Sequence, residues 1–117
     1  MAETDSLFGM HGAALALRSQ RLSLLASNIA NAATPGYKAR DIDFDKAMKL
    51  ASKGQNFDTA VESSTEYRIP VTPSLDGNTV ELSTEQTLFA ENAVQYRTTL
   101  SFLEGRVNTI KRALRGE

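Results

Sequence analysis

Asp41, Asp43 and Asp45 stand two residues apart, the spacing with which a calcium loop begins. Such a loop then needs glycine at its sixth position for a sharp turn and a bidentate glutamate at its twelfth to close the cage. Here Lys46 and Ser52 hold those places, so the triplet lacks both. His11 is the only histidine and cysteine is absent. Histidine metal clusters, thiolate sites and thiol nucleophiles are thereby removed, and no Ser-His-Asp triad has partners to spare. No glycine pattern for cradling phosphate is present. Arg106, Lys111, Arg112 and Arg115 form a basic cluster, but it spreads around a helix and sits at its C-terminal end, where the helix dipole favours cations. The net charge of -1 argues against a surface built to release counterions from nucleic acid. Neither a catalytic site nor a cofactor, a metal or a nucleic-acid partner is expected.

The elements that would position these residues are helical. With 117 residues, 41% hydrophobic and 23% charged, the chain fits one domain. No run approaches the roughly 18 apolar residues of a membrane span, and the start lacks the basic, apolar order of a cleaved leader, so direct membrane insertion is not expected. Phe89, Ala93, Tyr96, Leu100, Leu103, Val107, Ile110 and Leu114 alternate in steps of four and three, the seam of a coiled coil. Ser83 and Gln86 have capping-box spacing at the start of this helix, and Gly116 follows its end.

The first segment, from about Ser6 to Ala33, carries two stripes. Leu7, Ala14, Leu15, Leu22, Leu25, Ile29 and Ala32 gather on one side, and Met10, Leu17 and Leu24 nearly opposite. A helix apolar on two sides needs two partners. Either the middle segment folds over the second stripe, or a second subunit does; Val94 and Phe102, off the C-terminal seam, raise the same question. Met10, Leu17, Leu24, Val94 and Phe102 are therefore candidate subunit-interface residues. The pairing seam is expected from Leu15, Leu22, Leu25 and Ile29 against Phe89, Tyr96, Leu100, Leu103, Val107, Ile110 and Leu114.

Between the helices the stretch "SNIANAATPGYKARDIDF" breaks at Thr34-Pro35-Gly36-Tyr37. Proline ends the helix and glycine supplies the positive φ of a type II turn. Asn28 and Asn31 are read as local caps for carbonyls losing their helical partners. A short helix is expected at about Asp45 to Ser52, capped by Asp43, with Gly54 merely ending it. Asp76-Gly77-Asn78 suggests a small β-hairpin within "YRIPVTPSLDGNTVEL". The predicted fold is mainly α: two long terminal helices packed as an antiparallel coiled coil, with a turn-rich middle containing the short helix and the hairpin. One domain spans 1–117, divided into 1–36, 37–82 and 83–117.

The helix with paired asparagines running into Asn28, Asn31, Thr34, Pro35, Gly36 and Tyr37 resembles the N-terminal signature of the flagellar basal-body rod proteins. "ARDIDF" and "PSLDGNTVEL" make the chain similar to the proximal members of that family. The resemblance implies a structural subunit, stacked helically to transmit torque from motor to hook. It also implies a place in the basal body, in the periplasm, and export through the flagellar type III apparatus without a cleaved leader. The partners it implies are copies of the same chain, FlgC and further rod subunits, and the adaptor FliE. On the residues alone, a coiled-coil adaptor that dimerises through its C-terminal seam remains the alternative, and a small hydrolase or nucleic-acid binder a distant third.

Overall fold

The computed structural model describes residues 2–116, with side chains for residues 9–116. Its elements run α1 (Ala2–Ala30), β1 (Arg40–Ile42), α2 (Phe44–Ser52), α3 (Phe57–Ser64), β2 (Thr65–Tyr67) and α4 (Leu82–Arg115). Helices α1 and α4 lie antiparallel along a body 64 Å long and 26 by 18 Å across. Leu25 is fully buried and Leu103 nearly so between them, while Leu15, Leu22, Ile29, Phe89, Tyr96, Leu100, Val107 and Ile110 are half-buried around that contact. Leu7 lies outside the described side chains.

Leu114, expected in the seam, is 83% exposed. The reason is geometric. Helix α1 is interrupted at Gly9 (φ 56°, ψ -137°), so its unbroken part covers residues 10–30. At about 1.5 Å per residue that part is roughly 31 Å long, against roughly 51 Å for α4, whose last turns overhang it.

Two of the five candidate interface residues need correction. Leu17 is 1% exposed and Leu24 is partly buried against the same core, because the middle of the chain folds over this stripe. Ile42 and Ala47 pack on Leu17, with Phe44, Met48, Phe57 and Val61 around them. Of the two covers that the sequence left open, the subunit's own middle segment takes the central part of the stripe. Met10, Val94 and Phe102 stay 47%, 66% and 47% exposed.

The middle forms its elements for local reasons. Asp43 caps α2 by accepting the Lys46 N–H, and Asn56 caps α3 by accepting the Asp58 and Thr59 N–H groups. Gly54, between the two helices, has φ 89°, so it too needs the left-handed region and does more than end a helix. The small sheet pairs β1 with β2 antiparallel in the register Arg40 to Tyr67, Asp41 to Glu66 and Ile42 to Thr65. It lies upstream of the Asp76-Gly77-Asn78 turn, which forms no hairpin: Pro70 and Pro73 remove ladder donors from the approach to that turn. Helix α4 begins at Leu82 with Glu81 as N-cap and no side-chain cap bond, so Ser83 lies inside the helix and the expected box with Gln86 is not made. Gly116 ends α4 at φ 75°.

This layout predicts graded amide protection. Residues 17–30 of α1, covered by α4 on one side and α2, α3 and β1 on the other, are expected to exchange slowest; residues 107–115, packed on one side at most, fastest. Uniform protection along α4 in a monomer would contradict the arrangement.

Candidate functional site

Chemistry-bearing side chains converge where α1 ends, β1 and β2 pair, and α4 begins. Asn28, two residues before the end of α1, is fully buried. Its Nδ2 donates to the Arg40 carbonyl at 2.7 Å and to Glu85 Oε1 at 2.9 Å. Its Oδ1 accepts from the Tyr37 hydroxyl at 3.1 Å and the Arg40 N–H at 3.3 Å. All four hydrogen-bonding capacities of the amide are used, and every partner lies at least nine residues away. Asn28 is thus not the local cap expected of it. Asn31 does act locally, donating to the Ser27 carbonyl at 2.8 Å and accepting from the Thr34 hydroxyl at 3.0 Å.

The turn after α1 has the geometry its residues dictate. The Tyr37 N–H reaches the Thr34 carbonyl at 3.2 Å, with Pro35 second and Gly36 third at φ 75°. A second loop grips it. The Gly36 N–H donates to the Asp76 carbonyl at 2.9 Å, the Thr79 N–H to the Tyr37 carbonyl at 3.0 Å, and the Ala39 N–H to the Thr79 hydroxyl at 2.8 Å. Asn78, 7% exposed, donates to the carbonyls of Asn31, Ala32 and Thr34 at 2.9, 3.1 and 2.7 Å. The true C-terminal cap of α1 therefore comes from more than forty residues downstream.

Beside Asn28 lies an ionic cluster. Arg21 grips Asp41 through two 2.8 Å hydrogen bonds. Arg68 bonds Asp41 at 3.0 Å and Glu85 Oε2 at 2.6 Å. Glu85 is fully buried, so its charge depends on Arg68 and Asn28. Burial alone would raise the Asp41 pKa, but the hydrogen bonds and charge of Arg21, the Ile42 N–H and Arg68 together hold it below the usual carboxylate value. The native value being the lower one, the stabilisation from this carboxylate is complete above the unfolded value near 4 and is lost as pH falls through the native value. Urea unfolding should therefore show a loss of stability below about pH 4 that is shallower in Asp41→Asn; identical acid profiles would exclude this role.

The other sequence candidates are occupied structurally. Asp43 caps α2 and Asp45 lies exposed in its first turn, so the aspartate triplet is divided among three tasks. Among the described residues no group of His, Asp and Glu is arranged to hold a metal ion, and no helix is long and apolar enough to cross a membrane. The His11 ring packs on Phe102 at 4.4 Å between centroids, and the Arg106 guanidinium lies 6.0 Å from the same ring. Higher on α4, buried Asn92 donates to the Arg18 carbonyl at 2.8 Å, tying the two long helices together.

The site thus ties the end of α1, the strand pair and the start of α4 together through hydrogen bonds. The family described as flagella basal body rod protein matches residues 10–38, the stretch that carries α1 into this corner. The flagellar basal body rod protein FlgB of Cereibacter sphaeroides is 48% identical, with 93% of this chain and 94% of the relative covered. The chain belongs to the FlgB family of flagellar basal-body rod proteins. The FlgB proteins of Aeromonas hydrophila and Escherichia coli K12 are 41% and 40% identical, covering 97% and 94% of the chain and 96% and 94% of those relatives. As a member of the FlgB family it is a structural subunit of the basal-body rod, not an enzyme, and associates with other rod components.

Proposed function

We propose that the whole chain, 1–117, is one rod-subunit domain that stacks helically in the proximal rod and carries torque from motor to hook. Its neighbours are copies of itself, FlgC and further rod subunits, and the adaptor FliE. It reaches the periplasm through the flagellar type III apparatus. In this reading Asn28, Asn31, Thr34, Pro35, Gly36 and Tyr37 form the corner that keeps the subunit stiff under torsion. Met10, Val94 and Phe102 meet neighbouring subunits.

The observation that carries this reading is the coupling of all three segments at one buried point. Asn28 of α1, Arg40 of the middle and Glu85 of α4 share direct hydrogen bonds, so twisting either helix strains the other. Large apolar side chains left in water, such as Phe102 and Val94, suit a subunit whose surface is completed by assembly. A closed coiled-coil dimer would instead need a continuous exposed seam on α4, and Leu103 at the middle of that seam is already covered. The test is imaging of basal bodies purified from cells carrying a tagged chain. Density for the chain at the motor-proximal end of the rod is expected; its absence from purified basal bodies would overturn the proposal.

A further inference from the structure

Helix α1 is broken at one residue, Gly9, whose φ of 56° and ψ of -137° lie where essentially only glycine goes. Crowding does not demand the glycine. A Cβ placed on it would meet nothing within 4 Å among the described residues, so the backbone conformation alone needs it. Glycine also accepts ordinary helical angles, at a small cost in entropy. The same residue therefore serves both a bent and a continuous α1.

The unbroken part of α1 sets a register against α4. Asn28 bonds Glu85, the Arg18 carbonyl accepts from Asn92 while its guanidinium donates to Gln95, and the His11 ring packs on Phe102. Each step back along α1 is thus one step forward along α4. Carried past Gly9 in a straight helix, this register sets residues 8 to 2 beside residues 105 to 111, which have no unbroken α1 alongside. A groove of about 480 Å³ lies on that path, with Leu15, Leu100, Leu103 and Val107 along its floor and Glu104 and Lys111 at its rim. Leu7 precedes Leu25 by eighteen residues, or about five helical turns, and Leu25 is fully buried between the two long helices. An unbroken α1 turns Leu7 toward the same side. Residues 2–8 carry Glu3 and Asp5 and no Lys or Arg, while residues 104–112 carry Arg106, Lys111 and Arg112 against Glu104. Charge thus agrees with the pairing, although exposed pairs add little.

We propose that Gly9 is a hinge at which α1 straightens, laying residues 2–8 along residues 105–111 of α4 and closing the groove with the chain's own helix. The occupant is the continuation of a helix already seated on α4, in the register that its seated part sets. Bent, the subunit leaves the apolar floor of the groove available to a neighbour; straight, it does not. Leu114 lies beyond the reach of Ala2 in either form. The hinge belongs to the single chain and stands or falls apart from the rod reading.

The chain has no cysteine, so Thr4→Cys and Val107→Cys can be joined within the dilute, purified full chain by a short bis-maleimide. Adding Gly9→Ala, which disfavours the bent backbone and favours the helix, is expected to speed this link at least about tenfold. Ser19→Ala, in the unbroken helix, raises helix propensity away from the hinge and should leave the rate within about twofold. No gain with Gly9→Ala, an equal gain with Ser19→Ala, or links only between chains would overturn the hinge. Amide exchange on the cysteine-free chains gives a second reading. Gly9→Ala should slow exchange at residues 105–111 and leave residues 112–115 unchanged; unaltered exchange at 105–111 would equally overturn the proposal.

Discussion

Replacing Arg68 by methionine is expected to lower the unfolding free energy by about 3 to 5 kcal/mol, much of the roughly 5 to 15 kcal/mol that a domain has. Arg68 neutralises two carboxylates at once, and one of them, Glu85, is fully buried. Removing the guanidinium leaves that charge with Asn28 alone, and a lone buried charge is far costlier than the pair was favourable. Glu85→Gln added to Arg68→Met should therefore recover part of the loss, because the stranded charge disappears while Asn28 keeps an acceptor. Arg40→Met, at an exposed side chain on the neighbouring strand β1, should change stability by no more than about 0.5 kcal/mol. Urea denaturation of the three variants checks this; an Arg68→Met protein within about 1 kcal/mol of the parent would show that the cluster is not needed for the corner.

The architecture was legible in the sequence where burial is apolar and periodic. Two long helices, the break at Pro35, the positive φ at Gly36 and the cap at Asp43 all follow from local rules. Side chains at the corner escaped because a search for apolar periodicity passes over polar residues. Glu85 and Asn92 lie one heptad apart beside the seam, and both are fully buried. Their spacing carried the information, but their chemistry hid it. Asn78 escaped for a different reason: its role is set by carbonyls that lie 44 to 47 residues away in sequence. Helix α3 was readable in principle, since Asn56 precedes Phe57, Ala60, Val61 and Ser64 at helical spacing, yet eight residues give too short a period to stand out. The cover over Leu17 and Leu24 was a tertiary outcome that the stripe alone left undecided. The central part of α1 is packed on both sides, and among the described residues large apolar side chains stay exposed at Met10, from Tyr67 to Leu75, and at Leu82, Val94, Phe102 and Leu114.

Leu103→Asp tests that division along α4. Leu103 is 9% exposed against α1, and aspartate there would bury a carboxylate among Leu15, Leu100 and Val107, at a cost of several kcal/mol. Such a loss is a large share of the stability of a small domain, so the isolated subunit is expected to lose most of its helical circular dichroism near room temperature, and cells carrying it to be non-motile. Leu114→Asp makes the same chemical change eleven residues later, where the side chain is 83% exposed and α1 no longer runs alongside. The isolated subunit should tolerate it within about 0.5 kcal/mol, as surface positions do. The two variants separate the helix pair that holds one subunit together from the overhang that only a neighbour can cover. If Leu114→Asp destabilised the monomer as much as Leu103→Asp, the seam would have to continue to the end of α4 and the overhang would not exist. If instead it left the monomer intact but halted motility, the end of α4 would be acting between subunits, as its exposed apolar side chain suggests.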